Sequence, residues 1–181
     1  MILQIASSVK DIILTSIEQI SYLASVSSLV FNIATGNPND FRRDFTEEDA
    51  LLLASSAISA ERETGIPAAV LIGISWYESR FREYSRGDWK DGVYRSCGPM
   101  QIRWDIWRRE QRLDNPSLSC DDLMDLDFSL SLAANILVIK QHQCGEDYIA
   151  AYNGGCRRAR YSRPQWYQTR VLRIASQLEH P

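Results

Sequence analysis

The chain has 181 residues, 45% of them hydrophobic and 24% charged, which suits one compact domain with a core of its own plus an appendage. A formal net charge of −3 excludes a dedicated nucleic-acid binder, because neutralising phosphates needs a basic excess. The cysteines number 4 without a CxxC pair and the histidines number 2, so no zinc pattern exists, and no metal or cofactor is expected.

Residues 1–35 read as one amphipathic helix. Ile13, Ile17, Ile20, Ala24, Ser27, Phe31 and Ala34 follow alternating four- and three-residue steps, the seam of a coiled coil or bundle, and Val9, Leu23 and Val30 widen that stripe. Met1–Lys10 lacks the basic start of a secretory signal, and no small-residue cleavage site follows a clean apolar run. The uncharged stretch Gln19–Asn39 is long enough for a membrane span, but Ser21, Ser25, Ser27, Ser28 and Asn32 make it too polar for one. Gly36-Asn37-Pro38-Asn39 stops the helix, and a polar linker follows. The expected division is therefore an N-terminal assembly helix and linker over 1–40 and a catalytic domain over 41–181.

Within the second part, Thr46 with Glu47, Glu48 and Asp49 reads as an N-cap and first-turn acids, and Gly65 sits where a helix C′ residue belongs. Pro67 suits the first turn of the next helix, Ala68–Tyr77, which is apolar almost all round and so predicted to be buried. Arg82–Ser96 is polar and turn-rich, a loop or short hairpin. Helical patterns return at Ile102–Gln111, Leu118–Met124, Phe128–Gln143, Tyr148–Tyr152 and Gln165–Leu178. No strong period-two run occurs, and the fold class is mainly α. The acids Asp121, Asp122, Asp125 and Asp127 lack the spacing of a calcium loop and read as a solvated helix start. The cysteines permit two disulfides in any of three pairings, or four buried thiols. Between Arg157 and Arg173 lie Arg157, Arg158, Arg160, Arg163, Arg170 and Arg173 with no acid, either a solvated surface or a wall that attracts an anionic polymer.

Glu78 is the most informative carboxylate. It ends the apolar helix among Trp76, Tyr77 and Phe81, and such surroundings disfavour its charged form and raise its pKa. A Glu kept protonated near neutrality can deliver a proton to the leaving oxygen of a glycosidic bond. The plainer alternative is a helix-end Glu paired with Arg80 or Arg82.

Further segments bear on that choice. Glu78-Ser79-Arg80-Phe81, Ser96-Cys97-Gly98-Pro99-Met100-Gln101-Ile102, Ala150-Ala151-Tyr152-Asn153-Gly154-Gly155 and Trp166-Tyr167 to Val171-Leu172 resemble, in order, the catalytic Glu-Ser-x-Phe, Ser-x-Gly-(Leu/Pro)-Met-Gln-Ile, Ala-Tyr-Asn-x-Gly and closing Tyr-Val-x-x-Val-Leu segments of the lytic transglycosylases, which share a fold with goose-type lysozymes. The resemblance spans about residues 46–178. It departs from the family in a longer stretch between Phe81 and Ser96, an extra loop at one end of the cleft, and in Ser131, which replaces a commonly substrate-facing Asn.

The resemblance implies a lysozyme-like helical domain whose partner is the peptidoglycan glycan strand, acting in the cell envelope or periplasm. Glu78 would be acid and then base, and Ser96, Met100 and Gln101 would line the floor beside the cleaved sugars. Tyr152 and Asn153 would orient the carboxyl and the substrate acetamido group, with Ser131 at a further substrate contact. The implied reaction cleaves the β-1,4 bond between N-acetylmuramic acid and N-acetylglucosamine and closes a 1,6-anhydro ring. A hydrolytic lysozyme is the near alternative and would need a second carboxylate, for which Asp88, Asp91 and Asp105 are candidates. A structural or assembly protein with a vestigial cleft is the alternative from another class. The unaccompanied N-terminal helix leans towards carriage in a bacteriophage virion.

Overall fold

The computed structural model describes residues 2–36, 44–107 and 117–178, and of residues 2–16 the backbone alone. Its elements are α1 (Ile2–Gly36), α2 (Glu47–Thr64), α3 (Ala68–Ser79), β1 (Arg86–Gly87), β2 (Ser96–Cys97), β3 (Ile102–Arg103), α4 (Trp104–Trp107), α5 (Leu126–Cys144), α6 (Tyr148–Gly154) and α7 (Ser162–Leu178), with 3₁₀ turns at Asp122–Met124 and Gly145–Asp147. The fold is mainly α.

Local chemistry sets the helix ends. Thr46 caps α2 reciprocally: its Oγ1 accepts from the Asp49 amide at 3.1 Å, and the Asp49 carboxylate accepts from the Thr46 amide at 2.8 Å. Gly65 closes the helix at φ 77°, its amide donating to Glu61 O at 2.8 Å. Asp125 caps α5 by accepting from the Phe128 amide at 2.8 Å. The acid-rich run is thus a helix start, and no metal-binding cluster occurs among the described residues.

Helix α3 is the central rod, buried from Ala68 to Trp76 as its composition predicts. It packs against α7 so closely that a Cβ on Gly73 would lie 2.8 Å from Val171 O, so only glycine permits this crossing. Helices α2 and α5 cover its other side, and α6 wedges between α5 and α7.

Three expectations change. The helix expected from Ile102 begins as β3, because Ile102 and Arg103 pair with Cys97 and Ser96; residues 108–111 lie outside the described ones. The small sheet β1-β2-β3 was invisible as alternation because each strand is two residues long. Leu118–Met124 is a loop with a single 3₁₀ turn. On α1 the C-terminal part of the expected stripe reaches the core, Val30 and Ala34 buried with Val26 and packed on α2, and Leu23 and Phe31 partly buried beside them, whereas Ile17 and Ile20 of the seam are 55% and 68% exposed. A stripe drawn by spacing alone does not say how much of its length its own domain covers. No helix is long and apolar enough to cross a membrane among the described residues.

The cysteines pair Cys97–Cys120 and Cys144–Cys156, each with Cα atoms 5.4 Å apart. The first ties β2 to the segment before α5, and the second ties the end of α5 to the turn after α6. Each closes a loop whose entropic constraint is worth about 3 kcal/mol. Reduction should lower the melting temperature by roughly 5–10 °C per bridge, read by calorimetry, without altering the reaction products. Loss of activity at a temperature where the reduced fold is intact would contradict a purely stabilising role.

Candidate active site

Glu78 stands in the last turn of α3, and the three residues after it form a tight reversal. Arg80 and Phe81 both hold left-handed φ, 59° and 61°. Such φ costs a side-chain-bearing residue on the order of 1 kcal/mol or more, so the surroundings must impose it. They do so from several sides. Ser79 Oγ donates to Pro99 O at 2.8 Å and accepts from the Arg82 amide at 3.1 Å. Arg80 turns its guanidinium back over Trp76 and donates to Trp76 O at 2.8 Å, capping the helix it has just left. Phe81 is buried against Phe45 and Trp76, with ring centroids at 5.5 and 5.1 Å. Arg80 is thereby occupied, and no arginine forms an ion pair with Glu78 among the described residues.

The Ser96–Ile102 segment passes beside this reversal. Gly98 holds φ 76°, and a Cβ there would stand 1.8 Å from Leu123 O, so no other residue fits. Gln101, at φ 48°, spends its amide on Ser85 O and Gly98 O at 3.0 and 2.9 Å. The Ser96 hydroxyl donates to the Asp88 carboxylate.

These pieces surround an open cleft of about 810 Å³. Glu78, Ser96, Gln101, Tyr152 and Asn153 all line it, with Asp88 and Arg103 on the sheet side and Arg158, Tyr161 and Arg163 on the side of the α6–α7 connection. Two expected members do not. Met100 is wholly buried, since the turn points its side chain into the core; it contributes its carbonyl, which accepts from the Tyr152 hydroxyl at 2.8 Å. Ser131 lies on α5 away from the cleft, where its carbonyl accepts from Asn135 Nδ2 at 2.9 Å. The basic run also divides: Arg158 and Arg163 face the cleft, Arg160 pairs with Asp147 at 3.6 Å, and Arg170 covers Trp166.

Burial raises the Glu78 carboxyl from an ordinary 4.5 to about 7, the Tyr167 hydroxyl opposes that rise, and the charge of Asp88 adds to it. The Tyr167 hydroxyl makes no fully formed hydrogen bond among the described residues, so it faces the carboxyl without being locked to it. Tyr152 and Tyr167 are both pushed well above the usual tyrosine range by burial and by the Glu78 charge, so both stay neutral donors. The Tyr152 hydroxyl, expected to orient the carboxyl, donates to the Met100 carbonyl, and the Glu78 charge acts on it and on the Tyr167 hydroxyl alike. Tyr167 is held by its edge-to-face contact with Tyr77, 5.2 Å between centroids.

A carboxyl raised to about 7, neutral tyrosines beside it and an open cleft are groups that can pass a proton to a molecule in that cleft. A family model described as the transglycosylase SLT domain matches residues 55–169. The chain belongs to this family. It is therefore a lysozyme-like SLT domain of the kind that cleaves peptidoglycan by lytic transglycosylation. The match begins within α2, leaves α1 outside, and includes Glu78, Ser96–Ile102 and Tyr152-Asn153. A comparison with curated proteins gives no match.

Two residues that act on the Glu78 carboxyl escaped a firm role from sequence. Asp88 was one carboxylate of three; Asp91 pairs with Arg95 at 2.6 Å and Asp105 with Arg103 at 2.8 Å, and only Asp88 reaches the cleft. Tyr167 lay in the closing motif, but spacing could not show that α7 brings it back to the end of α3.

Proposed function

We propose that this SLT domain cleaves the β-1,4 bond between N-acetylmuramic acid and N-acetylglucosamine, with Glu78 as acid and then base. The observation that carries the reading is a carboxyl held protonated up to about pH 7 at the edge of an open, chain-sized cleft. Glu78 gives its proton to the departing oxygen as the bond breaks. The positive charge that develops at the sugar's anomeric carbon is met by the substrate's own acetamido group. The Glu78 carboxylate then takes the proton of the muramoyl C6 hydroxyl, whose oxygen closes the 1,6-anhydro ring, and the acid is restored. Tyr167 would steady the carboxyl in both states, and Asn153 would hold the acetamido group.

Hydrolysis is the second reading, favoured by the presence of Asp88 in the same cleft. Against it, the Asp88 carboxylate already accepts from the Ser96 hydroxyl, which takes up an oxygen that a water nucleophile would need. Mass spectrometry of the digestion products separates the two. Transglycosylation should give 1,6-anhydro-muramoyl ends, one water lighter than hydrolytic products and lacking a reducing end. Reducing ends throughout would make the domain a lysozyme with Asp88 as the partner carboxylate.

Action in the cell envelope accords with disulfides, which persist in oxidising compartments. The division at residue 40 is proposed as one of function rather than packing, with the exposed Ile17 and Ile20 stripe of α1 available for attachment to an assembly such as a virion.

A further inference from the structure

The β1–β2 hairpin extends beyond the cleft. Arg86 pairs with Cys97, Gly87 with Ser96 and, farther out, an isolated bridge joins Lys90 to Val93; between them the ladder is interrupted, with Asp88 at φ 52° and the Arg95 amide donating to Gly87 O at 3.2 Å. Lys90 and Val93 exchange both backbone hydrogen bonds, at 2.9 and 3.1 Å, and between them Asp91 and Gly92 hold φ of 52° and 82°. That is the two-residue turn whose twist matches the strands it joins. Asp91–Arg95 at 2.6 Å and Arg95–Asp105 at 3.5 Å brace the hairpin against α4.

Just inside the Lys90–Val93 bridge stand Trp89 and Tyr94, whose rings meet edge to face at 4.6 Å. Both are nevertheless in solvent, Trp89 62% exposed and Tyr94 39%. The core does not account for them, and a braced pair of exposed rings is a surface made for contact. Asp88, which lines the cleft, immediately precedes Trp89, so the aromatic pair stands on the arm of the hairpin next to the cleft wall. Ser96 lines the cleft, as does Arg103, its partner across β3. The aromatic pair thus lies directly beyond the cleft residues Asp88 and Ser96 along the chain.

We propose that Trp89 and Tyr94 form a stacking platform for an additional sugar of the glycan strand, beyond the residues that flank the cleaved bond. This rests on the cleft being a glycan site. The flat C–H face of a pyranose is weakly positive and apolar, and it complements the negative face of an aromatic ring without needing an ionic partner. Continuity with the cleft selects the occupant: a strand lying along Ser96 and Arg103 and leaving at this end runs over the hairpin. The platform would favour cuts inside long strands over cuts near their ends.

The test uses the full-length Glu78→Gln protein, which should bind without cutting, and peptide-free chains of alternating N-acetylglucosamine and N-acetylmuramic acid of graded length. Calorimetry should show affinity stepping up about ten-fold when the chain becomes long enough to reach the hairpin. Adding Trp89→Ala should remove that step, and Trp89→Tyr, which keeps a flat ring, should restore most of it. A step that persists in Trp89→Ala overturns the platform and leaves the glycan cleft standing. Absence of binding at every length by the Glu78→Gln protein overturns the cleft reading, and the platform with it.

Discussion

Replacing Glu78 with Gln should abolish cleavage of peptidoglycan while leaving the protein folded and able to bind glycan. The amide keeps the size and hydrogen-bonding capacity of the carboxyl but cannot hand a proton to the leaving oxygen. A positioned general acid contributes about two to four powers of ten in rate. Since Glu78 serves both the protonation and the later deprotonation, the loss should lie at the upper end, about ten-thousand-fold or more. The unsubstituted enzyme should lose activity as pH rises through about 7, where the carboxyl that burial keeps protonated finally ionises. Rates of solubilised glycan release across pH check both statements, and a Glu78→Gln protein within ten-fold of the normal rate would refute the assignment.

The same substitution should stabilise the fold above neutrality. The folded-state pKa of Glu78, about 7, exceeds the ordinary 4.5 expected when unfolded. Between those values the folded protein holds a proton that the unfolded chain releases, so stability falls as pH rises and levels off once pH has passed 7. The full cost is roughly 2–3 kcal/mol, reduced from the bare shift because one edge of the carboxyl opens onto the cleft. Glutamine carries no such cost. Urea unfolding should therefore find the two proteins alike near pH 4 and the variant more stable near pH 8. Parallel stability curves across that range would mean that the carboxyl is not strained by its burial.

Much of this site was legible because its determinants are local. The cap at Thr46 and Asp49, the stop at Gly65 and the all-apolar run after Pro67 each declare themselves within a few residues, and together they locate Glu78 at the end of a buried helix. The family motifs added Ser96, Gln101, Tyr152 and Asn153 to one cleft. What stayed hidden depends on contacts distant in sequence. Ile102 looks helical until Cys97 claims it as a strand partner, and Met100 looks like a floor residue until its turn buries the side chain and presents the carbonyl. Ser131 matched an expected position by alignment of short motifs, yet α5 carries it away from the cleft. The cysteine pairing is likewise fixed by which segments the fold brings together, for which spacing offers no rule.

The reversal at Arg80 and Phe81 bears on how this domain tolerates change. Glycine at either position would occupy the left-handed region at ease, so the turn itself invites it. Yet glycine would widen the conformational freedom of the unfolded chain, strip the guanidinium from the end of α3 or the ring from between Phe45 and Trp76, and loosen the joint beside Glu78. Bulky residues in a backbone state they dislike have only one way to sit there. The awkwardness of the turn is thus the source of its stiffness, and any variant that relaxes it trades aim for comfort.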